Sequence, residues 1–269
     1  MISFTKAHAC GNDFLVVQSH DVDDRSRGES AKRLCARNTG VGADGVEYFE
    51  WTGERSGRIT LYNADGSIAE ISGNGTRCVA AWMAYKKSGK DGDIFTIETE
   101  AGLRECRIIA AEAPHFRIAS RMGVPTVASR VVTLPSGKQV EGAVVSTGNP
   151  HFVIFVDNEE FTVQGGAWQE LGEKICHHED FPHQTNVEFA RIVNPDEIEI
   201  RIFERGVGPT TSSGTGTCAT SAASMVLRGV HRRLDVRAPG GMQQIEWTDN
   251  KSEMLLTGPA ELIASGESW

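Results

Sequence analysis

Short runs in which apolar and polar positions alternate dominate this chain. Ile59-Thr60-Leu61-Tyr62-Asn63 and Ile200-Arg201-Ile202-Phe203-Glu204 carry the period of two that belongs to a half-buried strand, and residues 131–134, 143–147, 152–156 and 197–203 read as strands as well. Two stretches depart from alternation: residues 77–87 and 218–228 are rich in alanine and other strong helix formers, which predicts one long apolar helix in each half with the strands wrapped around it. A further helix is expected around residues 30–39, after a polar, solvated loop over 21–30. Residues 111–127, with weak periodicity and the prolines Pro114 and Pro125, read as a crossover between the halves.

The two halves resemble each other. Gly11-Asn12-Asp13-Phe14-Leu15-Val16-Val17 sets a Gly-Asn turn before an apolar strand, and Gly148-Asn149-Pro150-His151-Phe152-Val153-Ile154 does so again 137 positions later (149 − 12). Ser72-Gly73-Asn74-Gly75-Thr76 opens the first helix, and Ser213-Gly214-Thr215-Gly216-Thr217 opens the second, 141 positions later (213 − 72). Two matches at nearly one offset predict two copies of one α/β unit. The expected fold is therefore mixed α/β (α+β), with two pseudo-symmetric lobes, each a mixed, mostly antiparallel sheet curled around a central helix. The boundaries drawn from the sequence are 1–113 plus 258–269 for one lobe and 114–257 for the other, with the site in the cleft between them.

Composition narrows the function. With 36 acidic against 27 basic residues and the basic ones scattered, the chain has no patch suited to nucleic acid. No apolar run is long enough for a membrane span and no signal peptide opens the sequence, so a cytoplasmic protein is expected. The six cysteines form no C-x-x-C pair, so neither a disulfide framework nor a zinc site is expected, and Cys176-His177-His178 with His183 matches no common metal spacing. Gly40-Val41-Gly42-Ala43-Asp44-Gly45 is a glycine-dependent turn without the features of a nucleotide loop.

A glycine-rich turn opening an apolar helix offers unpaired backbone N–H groups and the positive end of the helix dipole, a site for a carboxylate. Ser-Gly-x-Gly is also simply a good helix cap, but a second copy gives two such mouths. That arrangement suits a reaction in which one side of a tetrahedral carbon loses a proton and the other regains it, of which stereoinversion is the plainest case. Asn12, Asn63, Asn149 and Asn186 border strand-like runs, where asparagine is depleted unless a turn or ligand uses it. Arg205, beside Glu204, offers a guanidinium for bidentate carboxylate recognition, and His151 is a candidate acid or base.

The segments Lys6-Ala7-His8-Ala9-Cys10-Gly11-Asn12-Asp13-Phe14, Gly40 through Gly45, Asn63-Ala64-Asp65-Gly66-Ser67, Gly73-Asn74-Gly75-Thr76-Arg77-Cys78, Gly148-Asn149-Pro150-His151, Thr185-Asn186-Val187 and Glu204-Arg205-Gly206-Val207-Gly208 resemble the diaminopimelate epimerase family, in its order and over nearly the whole chain. The resemblance implies a cofactor-independent isomerase that interconverts LL- and meso-diaminopimelate on the route to lysine and peptidoglycan, with a small amino acid as its partner and a homodimer as the default assembly. It implies that Asn12, Asn63, Asn149, Asn186 and Arg205 hold substrate, that Gly73-Asn74 and Gly214-Thr215 hold the reacting carboxylate, and that His151 and Glu204 tune the catalytic pair. The family's two thiols fall at Ser72 and Ser213, and a further family acid falls at Pro209. Cys78 and Cys218 match a separate position inside each helix. A serine hydroxyl is a much weaker acid than a thiol and needs an adjacent base. Three readings follow: an epimerase that works through Ser72, Ser213, His151 and Glu204; a related isomerase or dehydratase acting on another amino acid; or a catalytically impaired diaminopimelate-binding homologue.

Overall fold

In the computed structural model, which describes residues 1–69 and 71–269, the chain forms two compact units, Met1–Arg121 with Thr257–Trp269, and Met122–Leu256. The first contains strands β1 (Ile2–Ala9), β2 (Asn12–Gln18), β3 (Gly45–Trp51), β4 (Ser56–Asn63), β5 (Ile68–Ala69), β6 (Ile94–Thr99), β7 (Gly102–Glu112) and β8 (His115–Arg121), with helices α1 (Arg27–Cys35) and α2 (Gly73–Lys87). The second contains β9 (Thr126–Thr133), β10 (Gln139–Ser146), β11 (Pro150–Phe155), β12 (Asn186–Asn194), β13 (Glu197–Glu204), β14 (Gly208–Thr210), β15 (Arg233–Ala238) and β16 (Gly241–Glu246), with helices α3 (Trp168–Cys176) and α4 (Gly214–Leu227). A last strand, β17 (Leu255–Ser268), returns to the first unit, where Ile2 faces Ser268 in an antiparallel pair with β1.

In the first unit the pairing runs β1-β2-β3-β4-β6-β7-β8-β17 and back to β1, a closed, barrel-like sheet without free edges. Helix α2 fills it. Every residue from Gly73 to Ala84 is buried, so α2 has no solvent face over its first three turns and is a core helix rather than an amphipathic surface one. Helix α4 is the counterpart, buried from Gly216 to Met225 and packed on β9 to β13, β15 and β16. Most pairs are antiparallel. The parallel ones recur at matching places: β2 with β3 and β11 with β12, then β4 with β6 and β13 with β15.

Alternation in the sequence sorts side chains into two layers. On β2, Phe14 and Val16 pack against α2, while Leu15 and Val17 pack against α1 with Leu34, Val46 and Tyr48. On β12, Ala190 faces the α4 core, while Val187 and Phe189 pack with Leu171 and Ile175 of α3. The β2–β3 and β11–β12 pairs are thus covered on both faces, by a central helix on one side and by α1 or α3 on the other.

Two expectations are corrected. The helix anticipated at 30–39 is Arg27–Cys35. It stops because Gly40 N–H bonds the Ala36 carbonyl and the Val41 and Gly42 N–H groups turn back to the Leu34 carbonyl. Residues 111–127 do contain the passage from one unit to the other, at Arg121–Met122, but most of the segment before it is strand: β7 continues to Glu112 and pairs with β8, whose Phe116 and Ile118 are buried. The last strand begins at Leu255, because residues 247–254 form a turn in which Trp247 Nε1 donates to the Ser252 carbonyl.

Candidate active site

The expected polar residues collect at one end of each sheet. In the first unit Asn12 starts β2, and Gly45, the first residue of β3, lies between Phe14 and Asn63, the last residue of β4. In the second, Asn149 precedes β11, Asn186 starts β12 and Glu204 ends β13. A parallel pair followed by an antiparallel strand brings two starts and one finish to the same edge.

Each central helix begins beside that edge. Ser72 is extended (φ −123°, ψ 120°) and its Oγ accepts from Gly75 N–H at 3.0 Å; Ser213 (φ −144°, ψ 128°) does the same with Gly216 N–H at 3.1 Å. Both serines are therefore N-caps, half-buried at the helix mouths. Thr76 and Thr217 repeat each other as well, each hydroxyl donating to the capping serine's carbonyl.

At the second mouth the expected residues form one hydrogen-bonded set. Ser213 Oγ lies 3.4 Å from Thr215 Oγ1, which accepts from Asn149 Nδ2 at 3.3 Å. Asn149 Oδ1 is 2.9 Å from His151 Nε2, and His151 Nδ1 is 2.7 Å from Glu188 Oε1. His151 and Glu188 have no solvent exposure. An amide oxygen can only accept, so Nε2 is the donor to Asn149 and Nδ1 faces the carboxyl. Asn186 braces the neighbouring loop: its Nδ2 donates to the Pro150 carbonyl and its Oδ1 accepts from Arg205 N–H, while Arg205 Nη1 reaches the His183 carbonyl.

The first mouth has a different inventory. Asn74 Nδ2 donates to Asn12 Oδ1 at 3.1 Å, and Asn12 Nδ2 donates to Asp44 Oδ2 at 2.7 Å. Arg37 bridges Asp44 and Asp13, and Lys6 joins Asp13. Burial pulls the Asp13 carboxyl up, but the hydrogen bonds and charges of Arg37 and Lys6 outweigh it and hold it below the ordinary carboxylate range. Asn63 is exposed and bonds Ser67 Oγ, away from this set.

Two carboxyl groups escaped the sequence reading. Glu188 and Glu47 both have zero exposure, and both approach the second glycine of a helix mouth. A Cβ on Gly75 would lie 2.1 Å from Glu47 Oε1, and one on Gly216 would lie 2.7 Å from Glu188 Oε1, so both positions need glycine to admit the carboxyl. Their signal was present: each acid interrupts an apolar strand, in Val46-Glu47-Tyr48-Phe49 and Val187-Glu188-Phe189-Ala190, and they are 141 positions apart (188 − 47), the spacing of the serines. The cysteine match fails by contrast. Counting from the caps sets Arg77, not Cys78, opposite Cys218, because neither helix has an inserted residue before that point. All six cysteines are buried, and none of them forms a disulfide.

A cavity of about 810 Å³ in the second unit, lined by Leu134, Val140, Leu171, Lys174, His177 and His178 among others, contains none of the expected site residues. Among the described residues, no cluster of three or more His, Cys, Asp or Glu side chains could hold a metal ion, and no helix is long and apolar enough to cross a membrane.

Comparison with known proteins identifies the family and the fold. The family model for diaminopimelate epimerase matches residues 4–128 and 143–263. A diaminopimelate epimerase of Gloeothece citriformis is 34% identical over 283 residues, covering 98% of each chain, and one of Moorella thermoacetica is 33% identical with the same coverage. Among solved structures, a predicted epimerase from Pseudomonas aeruginosa superposes with a TM-score of 0.73 at 12% identity over 100% of this chain and 99% of its own. A probable proline racemase from Agrobacterium radiobacter superposes with a TM-score of 0.71 at 16% identity over 100% and 93%. At these identities the structural likeness speaks to the fold.

Proposed function

The chain belongs to the diaminopimelate epimerase family, and from that premise we propose that it inverts the α-carbon of diaminopimelate, exchanging the LL and meso forms without a cofactor. The observation that carries this reading is the hydrogen-bonded set Ser213–Thr215–Asn149–His151–Glu188 at a helix mouth. Inversion requires a group that removes a proton from carbon and another that returns one. A mouth in each unit, capped by a serine with a buried carboxyl behind it, supplies one such group apiece.

In this proposal Ser72 and Ser213 stand where the family's thiols stand. A thiol of ordinary pKa near ~8.5 reaches its anion within the working range, and each unit of mismatch adds about 1.4 kcal/mol to forming the active anion. Serine therefore depends on a neighbouring base, and in the second unit Glu188 Oε1, paired with His151, lies at the same Gly216 gap as Ser213 Oγ. We assign the substrate's reacting carboxylate to Gly73-Asn74 and Gly214-Thr215, each at the positive end of its own helix. Asn12, Asn63, Asn186 and Arg205 hold the distal end, and Glu204, at the finish of β13, tunes the reacting pair with His151.

The test is solvent deuterium exchange at the α-carbon, followed by NMR, in the wild type and the Ser72→Cys/Ser213→Cys double variant. Exchange in both, with the variant faster, supports an epimerase whose serines depend on their buried bases. Exchange only in the variant marks a binding protein with its chemistry removed. Exchange in neither assigns the site to another amino acid.

A further inference from the structure

The two mouths differ in one respect that the repeat itself exposes. His151 pairs across the sheet with Asn186, two residues before Glu188, and Phe14 pairs with Gly45, two residues before Glu47. Phe14 is therefore the counterpart of His151. In the second unit the buried carboxyl has an imidazole at 2.7 Å; in the first it has a phenyl ring in that place, and neither oxygen of Glu47 has a hydrogen-bond partner.

Glu47 is not buried by accident of packing. Its strand neighbours across the sheet are Val16 and Leu61, both buried and apolar, and the carboxyl leaves that surface toward Gly75 in the first turn of α2. Ser72 Cβ lies 3.3 Å from the point where a Gly75 Cβ would be, and Glu47 Oε1 lies 2.1 Å from it, so the serine and the carboxyl share one glycine-sized gap. The cap uses Ser72 Oγ as an acceptor. Its hydroxyl proton is not needed for the cap and can be passed on.

We infer that Glu47 is the proton reservoir of the first mouth, a positioning residue that resupplies Ser72 when the serine hydroxyl protonates the α-carbon of an amino-acid substrate. This rests on the proposed epimerase reading and assigns that reading's acid side. In the step, the Ser72 O–H bond breaks as the new C–H bond forms. The Glu47 carboxyl proton moves to Ser72 Oγ, leaving a Glu47 carboxylate, and the proton lost from the substrate is held at the His151–Glu188 pair. Exchange with solvent resets both. In the opposite direction the same groups start from the complementary states.

Charge supports the geometry. Burial pushes the Glu47 carboxyl up to about 8, so it holds its proton at neutral pH. The ionisable group of α2 that interacts with it is Cys78, whose thiol is itself pushed up, chiefly by burial, while the preceding Arg77 is bonded to Asn74 Oδ1. From β2 and β4 its cross-strand neighbours carry no charge.

The experiment compares wild type with Glu47→Gln. The expected result is α-proton exchange slowed about a hundredfold or more, together with loss of the alkaline decline that the wild type shows as Glu47 ionises. Wild-type rate and pH profile in Glu47→Gln would overturn the inference. Infrared spectroscopy decides it independently of turnover, as the difference between folded wild type and Glu47→Gln, which separates Glu47 from the other fully buried carboxyl, Glu188. A carboxylic-acid carbonyl band at neutral pH that converts to carboxylate under alkaline conditions supports the reservoir, and its absence overturns it. If the wild type exchanges neither diaminopimelate isomer but shows that band, the substrate assignment fails while the stored proton stands.

Discussion

At the scale of single residues, the first unit keeps a neutral acid where the second keeps an acid with a partner, and stability records the difference. Glu47 has an ordinary value of 4.5 when unfolded and about 8 when folded. Between those values the unfolded chain releases a proton that the folded one retains. Stability therefore falls as pH rises from 4.5 to about 8, by about 1.4 kcal/mol per pH unit, and levels off above. Urea unfolding of wild type and Glu47→Gln across this window should show the slope difference; equal slopes would mean that Glu47 ionises in the fold as it does in water. Glu47→Leu is expected to fold with unchanged or greater stability, because an unpartnered buried carboxyl contributes nothing that an apolar side chain of similar size lacks. Asp13 works in the opposite sense: held below its ordinary 3.8, it contributes stability above that value, which is lost as pH falls through the lower folded value.

At the scale of elements, the mouths of α2 and α4 combine a cap, a gap and an acid. Ser72→Ala or Ser213→Ala should each lower unfolding free energy by about 1 kcal/mol through loss of the cap hydrogen bond. Gly75→Ala should be worse by about 1–3 kcal/mol, because its Cβ would meet Glu47 Oε1 at 2.1 Å. In the Glu47→Ala background that extra penalty should vanish, and a double-mutant cycle without coupling would contradict the contact. These elements were legible in the sequence to different degrees. Alternation marked β4 and β13, and the repeat placed both caps, because a period of two and a Ser-Gly-x-Gly turn are local properties. Glu47 and Glu188 were not found, since a glutamate inside a strand reads as a solvent-facing position until the fold shows that both faces of the strand are covered. The β7–β8 hairpin was missed for a related reason: its pairing, rather than its weak local pattern, defines it.

At the scale of the whole molecule, the last strand closes the first unit, pairing with β1 on one side and β8 on the other. A chain ending at Leu256 would leave both edges open around α2. It should lose the cooperative unfolding of the first unit and the amide-exchange protection of β1 and β8, and native-like protection in those strands would contradict closure. The family and the two-unit plan could be read from sequence because the repeat spans the chain, whereas the asymmetry between the mouths, Phe14 against His151, acquired meaning only once strand register matched them. That asymmetry makes the reaction the central claim. The most direct measurement is NMR of LL-diaminopimelate incubated with the wild-type protein in deuterium oxide. The expected result is deuterium at one α-carbon appearing together with the meso isomer. Prolonged incubation with neither exchange nor inversion would contradict it.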